Sequence, residues 1–345
     1  MLMMRGKHAD HALGEVSNQV LVDSMRSVTT IEDLITQTRW LWRSSSKLGN
    51  TSRHPWLTRL RVLRAGWHYR EALRPFQWAA SDSALGQALR ARPELLEIVI
   101  RPYQTTAWNA DRRLEMLRLH YEQVARLNWA PLSDPNAAVE IMRMDEVQDG
   151  LSLVLDQASW FTYEGPLVIN LFLGEERLYS LAFALRDHGG QLVACVGAIQ
   201  GRSLPDIMAT YRELTRASHG VRPRDLLIEM FQTLCDAIGV DRIVLVSDSH
   251  RHHRHAYFGE TGETITADYD SIWSDRGAHR LDDALFELPI LRRRRSTADI
   301  APRKRAQYRR RYELLDRLSA EAKLRIEMHR SGIRPIPPQL ESGTG

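Results

Sequence analysis

Between Gly197 and Leu227 the chain reads GAIQGRSLPDIMATYRELTRASHGVRPRDLL, and it sets glycines beside arginines at the start of a helix. Backbone N–H groups in a first helical turn have no intrahelical acceptor, and the helix dipole makes that end positive. Gly220, Arg222 and Arg224, with His219 beside them and Gly201 and Arg202 upstream, are therefore the candidate cradle for a phosphate-like anion. The same residues also suit an ordinary connection, with Gly220 turning the chain, Pro223 opening the helix and the arginines pairing with Asp225 and Glu229.

A second set of chemical side chains lies in SDSHRHHRHAY. His250 and Asp248 stand nearest the carboxyl end of the preceding strand, where crevices of α/β sheets form, and they are the candidate general base and its neighbour. Four histidines interleaved with arginines in one loop make a poor metal site, because cationic repulsion opposes it, and no metal is expected. In YDSIWSDRGA, Tyr269, Asp270 and Trp273 are candidate substrate contacts for an amine or basic group; an aromatic-anchored loop with a local Asp–Arg pair is the alternative.

A third set is pure charge. From Leu291 to Arg330 the chain carries 14 Lys/Arg against 5 Asp/Glu, whereas the remainder carries 33 against 38. Arg292, Arg293, Arg294, Arg295, Arg303, Lys304, Arg305, Arg309, Arg310 and Arg311 form a basic arm. It suits polyanions: a phospholipid surface, lipopolysaccharide phosphates, nucleic acid or an acidic patch on a partner. No helix-turn-helix, zinc-finger or RNA-recognition signature accompanies it, so no specific nucleic acid is expected.

These residues need elements to hold them. Residues 1–28 show no period. TTIEDLITQTRWLWR reads as a helix with Thr30 and Asp33 spaced as a capping box, and more helical patterns follow to about residue 135. Trp67, Tyr69, Trp108 and Tyr121 are read as core or helix-packing residues. From 136 to 290 the pattern changes to strands. Leu167, Ile169, Leu171 and Leu173 share one face and Tyr179, Leu181, Phe183 and Leu185 another, with short turns that predict an antiparallel meander. RPRDLLIEMFQTLCDAIG is a crossover helix opened by Pro223 and stopped by Gly239, and DRIVLVSDS returns parallel to the strand ending near Ile199. The fold class is α+β: a helical N-terminal part, a mixed and mainly antiparallel sheet with a crossover helix, a basic arm over 291–330 and a flexible tail over 331–345.

The 345-residue chain has 43% hydrophobic residues, two cysteines without metal spacing, and no apolar run long enough to span a membrane. A reducing, cytoplasmic setting fits. P-loop, Rossmann, nucleophile-elbow and His-Glu-x-x-His motifs are absent, which weighs against the corresponding enzyme classes.

The segments GAIQGR, ELTRASHGVRPRDLL, VSDSHRHHRH, YDSIWSDRGA, FELPI and RKRAQYRRRYELLD, in this order, with RRLEMLRLHYEQ upstream, resemble the VirK/YbjX family over roughly Leu34 to Leu318. The resemblance implies a role in virulence, envelope stress and resistance to antimicrobial peptides in Gram-negative bacteria, and it brings no agreed catalytic activity. With the basic arm it implies a place peripheral to the inner membrane, with anionic lipid or lipid phosphate at the inner membrane surface, or an envelope-synthesis protein, as partner. The order of meander, arginine-bearing loop, helix and parallel strand is also similar to the core of GNAT-type acyltransferases. That likeness implies acyl-CoA, or an acyl carrier, with its pyrophosphate at His219–Arg224. The chain departs from that pattern by inserting the helix PDIMATYRELTRAS and by lacking the compact Gln/Arg-x-x-Gly-x-Gly/Ala loop.

Overall fold

The structure, a computed structural model, describes residues 31–46, 48, 55–202, 206–259, 268–292 and 294–332. Thr30, the tail over 1–28, Arg293 and most of the C-terminal tail lie outside the described residues. Helices come first: α1 (Ile31–Ser45), α2 (Pro55–His68), α3 (Arg70–Gln77), α4 (Ala84–Ala91), α5 (Ala110–Leu127) and the short α6 (Ala130–Ser133). Asn109 caps α5 by accepting from the Arg112 N–H at 3.0 Å, and Asn128 ends it in the left-handed region.

Strands β1 (Val139–Arg143), β2 (Leu151–Asp156), β3 (Leu167–Leu173), β4 (Glu176–His188) and β5 (Gln191–Gly201) follow as an antiparallel meander. Helix α7 (Ile207–Ala217) and the crossover helix α8 (Pro223–Ala237) lead to β6 (Arg242–Val246), which lies parallel to β5. Pro223 is at the first helical position of α8, and Gly239, at φ +78°, ends it. Helix α9 (Tyr269–Asp275) precedes β7 (His279–Arg280) and β8 (Leu285–Leu288), and β8 pairs with β6, so the sheet order is β1-β2-β3-β4-β5-β6-β8-β7. The long α10 (Pro302–Arg330) closes the described chain, which is α+β as the sequence implied.

Alternation sets the two faces of the sheet. Ala194, Val196, Ile243 and Leu245 turn toward the large core that α8 covers, where Phe231 meets Phe183 edge to face. Val193, Cys195 and Val244 turn the other way, against Trp108. Leu167 pairs with Phe183, Ile169 with Leu181 and Leu171 with Tyr179, so the two alternating sets read as separate faces are cross-strand partners on one face. A period of two assigns residues to a side of their own strand; only the pairing register says which sides coincide. YDSIWSDRGA is not a loop but contains α9, because Asp268 accepts from the Ser271 N–H and starts a helical turn. Tyr121 is buried, and Tyr69 and Trp108 pack against core, but Trp67 is 49% exposed, which corrects its reading as a packing residue.

Candidate functional site: an arginine-lined cavity at the start of α8

His219 and Gly220 both adopt left-handed backbone, at φ +53° and +89°, and so turn the chain out of α7. Their N–H groups are used in that turn, His219 donating to Arg216 O at 3.2 Å and Gly220 to Thr215 O at 2.7 Å. Their carbonyls face α10. Arg311 donates to His219 O at 3.1 Å and Gly220 O at 3.2 Å, and Gln307 donates to His219 O at 3.2 Å. A Cβ at Gly220 would lie 2.6 Å from the Arg311 guanidinium, so glycine also provides the room for this clasp. The turn thus holds the basic arm, and the groups left to attract an anion are side chains and the first turn of α8.

Arg222 takes extended backbone before α8 and caps it without a side-chain hydrogen bond; the first intrahelical bond runs from the Leu226 N–H to Arg222 O at 2.9 Å. The N–H groups of Arg224 and Asp225 precede it, at the positive end of the helix. Here a cavity of about 560 Å³ opens between α8, the α9–β7 turn and α10. Arg222, Arg276, Arg292, Arg294, Arg295 and Arg311 line it with Tyr308 and Tyr312, against three acids, Asp225, Glu229 and Asp275. Six cations against these three anions, with Asp316 behind Arg294 as a fourth, still leave an excess of positive charge.

The buried members are paired. Glu229 binds Arg276 and, at 3.1 Å, Arg292, which also donates to Ser319 Oγ at 2.6 Å. Burial lowers the pKa of both arginines from the ordinary guanidinium value. Arg294 pairs with Asp316 and stacks on Tyr312, while Arg224 holds Asp225 at 3.1 Å. Arg222 and Arg295 are exposed at the cavity.

Arg222 and Arg224 also line a neighbouring groove of about 390 Å³ with Tyr179, Met208 and Tyr211. A third groove, about 380 Å³, continues from Arg224 past Gly201 to Ile199. Arg202 is exposed at the end of β5. Gly201, Arg222 and Arg224 are therefore brought around one connected surface.

The groove stops at α9. β5 and β6 pair only from Val193–Val196 to Arg242–Leu245, and a bulge at Gly197 then shifts β5 against β4. Beyond that point Tyr269, 1% exposed, stands between the strands: its hydroxyl donates to Ile199 O at 2.8 Å and accepts from the Ile199 N–H at 2.9 Å. Trp273, fully buried, donates its indole N–H to Val246 O at 2.9 Å. Asp270 accepts from the Asp248 N–H at 2.7 Å and pairs with Arg280.

Asp248 faces Arg251 at 3.2 Å and Arg254 at 2.9 Å, whereas the His250 Nδ1 is beside Ser249 Oγ at 3.0 Å and Ser247 Oγ at 3.3 Å. Behind them lies a buried polar cluster that the sequence did not indicate. Glu164 stands 3.6 Å from His252, with Arg251 stacked on Tyr269 and Gln104 donating to Cys195 O at 2.9 Å. Burial pushes Glu164 up to about 7 and His252 down to about 3. The histidines announced themselves, but their carboxylate comes from the turn before β3, 88 positions earlier, and no local spacing could have joined them. Among the described residues no three His, Cys, Asp or Glu side chains converge as a metal set.

In the arm, Arg303, Lys304, Arg305, Arg309 and Arg310 are exposed on the first half of α10, while Leu315, Leu318 and Ala322 on the second half are buried. Among the described residues no helix is long and apolar enough to cross a membrane.

Fold and site together define an α+β protein with a parallel strand pair wedged open by an aromatic helix and a cationic cavity at its crossover helix. The chain belongs to the DUF535, or VirK/YbjX, family: the family model described as "Protein of unknown function (DUF535)" matches residues 56–323. It is similar to "Uncharacterized protein YbjX" of Escherichia coli K12, 27% identical over 69% of this chain and 73% of the relative. An "Uncharacterized protein" of Haemophilus influenzae is 26% identical over 73% of this chain and 86% of its own length, and another is 27% identical over 60% and 67%. No solved structure matches the chain.

Proposed function

We propose that this protein is a peripheral factor of the bacterial envelope that holds a lipid phosphate in the arginine cavity, in the envelope-stress, virulence and antimicrobial-peptide-resistance roles that the VirK/YbjX resemblance implies. One observation carries the reading: six arginines face three acids around a cavity at the positive end of α8, beside the exposed basic half of α10. The cavity supplies directed hydrogen bonds to a phosphate, and the arm supplies general attraction to an anionic surface, about 1 kcal/mol per cation close to it. The test is titration with soluble short-chain phosphatidate, comparing wild type with Arg222→Ala/Arg295→Ala, which removes two exposed cavity arginines and leaves Arg294 with its partner Asp316. Saturable binding that weakens about tenfold in the variant supports the reading. Equal binding by both proteins, or none by either, overturns it.

A second reading is a GNAT-like transferase using acyl-CoA or an acyl carrier. It is favoured by the parallel β5–β6 pair that parts after Val196 and Leu245, and by the groove leading from Arg224 to Ile199. Opposed to it is the Tyr269 hydroxyl, which occupies the Ile199 backbone that a donor lying along β5 would use. Thermal-shift titration with CoA, acetyl-CoA and a long-chain acyl-CoA separates the two. A donor at a hundredfold excess over its dissociation constant adds about 2.7 kcal/mol of stability. A shift lost in Arg222→Ala/Arg224→Ala favours the transferase, and no shift removes it.

A further inference from the structure

The helical N-terminal part carries a surface that neither the arginine cavity nor the arm explains. Helix α1 buries one stripe, Gln37, Leu41 and Ser45, against its neighbours. On its outer side Ile31, Ile35 and Trp42 recur at helical spacing, and they are exposed. Helix α2 repeats the arrangement, with Trp56, Leu60 and Trp67 pointing outward. The two stripes adjoin, because Trp67 and Trp42 line one shallow groove of about 440 Å³ with Ile31 and Ile35. Trp42 is 67% exposed, Trp56 64% and Trp67 49%; Trp78, just after α3, is 63% exposed. Isolated apolar residues on a surface are ordinary, but stripes of indole and aliphatic side chains on neighbouring helices that meet at Trp42 and Trp67 are a patch.

We infer that the outer face of α1 and α2 is an interfacial membrane-docking surface that takes the headgroup–acyl boundary of an anionic bilayer. The choice of occupant follows from charge and side-chain chemistry. Positions 31–78 carry nine Lys/Arg against three Asp/Glu, so this end of the chain complements anionic headgroups. Arg39 and Arg43 line the same groove as Trp42, and the exposed Arg64 lies between Leu60 and Trp67 along α2. Guanidinium groups on flexible stems rise to phosphate while the stems stay with apolar surface, and indoles settle where one end is apolar and the other wet. Interleaved Trp, Ile and Arg on helices lying in the surface plane is the composition of an interfacial anchor. The stripe of α1 spans about 16 Å from Ile31 to Trp42 at 1.5 Å per residue, a line along the surface and not a single pocket.

This inference deepens the envelope reading and rests on it for the membrane as partner, while using residues separate from the cavity. The experiment uses the full chain with vesicles of phosphatidylglycerol and phosphatidylethanolamine, and with phosphatidylcholine alone. Variants are Trp42→Ser/Trp67→Ser, both at exposed positions, and Arg222→Ala/Arg295→Ala. Wild type should float with the anionic vesicles, shift its tryptophan emission to the blue, and be quenched by lipids brominated about 5–10 Å below the headgroup boundary. The tryptophan variant should bind these vesicles at least about tenfold more weakly, with its thermal shift by soluble short-chain phosphatidate unchanged. Vesicle binding untouched by the tryptophan changes overturns the inference, as does binding without quenching. A wild type that takes soluble phosphatidate but no vesicle also overturns it and leaves the cavity reading standing. Vesicle binding and quenching lost only in the tryptophan variant, with no response to soluble phosphatidate in any protein, supports it and removes the cavity reading.

Discussion

The hydroxyl of Tyr269 satisfies both polar backbone atoms of Ile199, accepting from its N–H at 2.9 Å and donating to its carbonyl at 2.8 Å. A single side chain from α9 thereby replaces the strand that β5 lacks beyond Val196, where its pairing with β6 ends. Buried backbone groups demand partners, and here the partner is a phenol. Tyr269→Phe keeps the ring but leaves both atoms unpaired, and should cost about 2–3 kcal/mol in urea denaturation. A variant as stable as wild type would mean that water or a shifted strand takes over.

Glu164 gives a pH dependence. Burial raises its pKa from 4.5 to about 7, against the opposing effect of its own backbone N–H and of Arg101. The unfolded chain releases this proton first as pH rises. The stability Glu164 contributes is therefore complete below about 4.5, falls between there and about 7, and is level above. Over that window wild type should lose about 3 kcal/mol relative to Glu164→Gln, which stays neutral. Parallel stability curves from pH 4.5 to 7.5 would refute the assignment.

Glu229 is the shared anion of Arg276 and Arg292 and ties the crossover helix to both the α9–β7 turn and the start of the arm. Replacing it with glutamine leaves two half-buried guanidinium groups short of charge, at a cost of about 3 kcal/mol. The arm should then become more sensitive to limited proteolysis near Arg292. If protection is unchanged, the docking of α10 depends on Leu315, Leu318 and Ala322 instead.

Gly197 sits at the bulge that lets β5 shift against β4. A Cβ there would lie 1.9 Å from Glu164 O, a backbone atom that cannot swing aside. Gly197→Ala should cost about 2–3 kcal/mol in stability. Gly174→Ala, in a turn with nothing within 4 Å of its Cβ but φ +57°, should cost only about 1 kcal/mol. A loss at Gly197 no larger than at Gly174 would mean that the Glu164 segment shifts to make room for the methyl group.

Much of the sheet could be read before any tertiary contact was known. Alternation through Leu167–Leu173 and Tyr179–Leu185, glycine turns after Leu173 and His188, and the Pro223–Gly239 limits of α8 all follow from local conformational preference. The parallel return of β6 was legible one step further out, because a crossover helix between two strands brings the second back in the same direction as the first. The candidate cradle is another case: the N–H groups of His219 and Gly220 close a turn, and the cavity beside them takes Arg276, Arg292, Arg294 and Arg295 from later segments that the stretch itself does not contain. Packing alone joined Glu164 to His252 and Glu229 to Arg276, since charges distant in sequence meet only when helices and strands have chosen their faces. The same holds for α1 and α2. Each has apolar residues on two sides, and a helical period cannot say which side turns inward; the core took Leu41 and Val62 and left Trp42 and Trp67 outside.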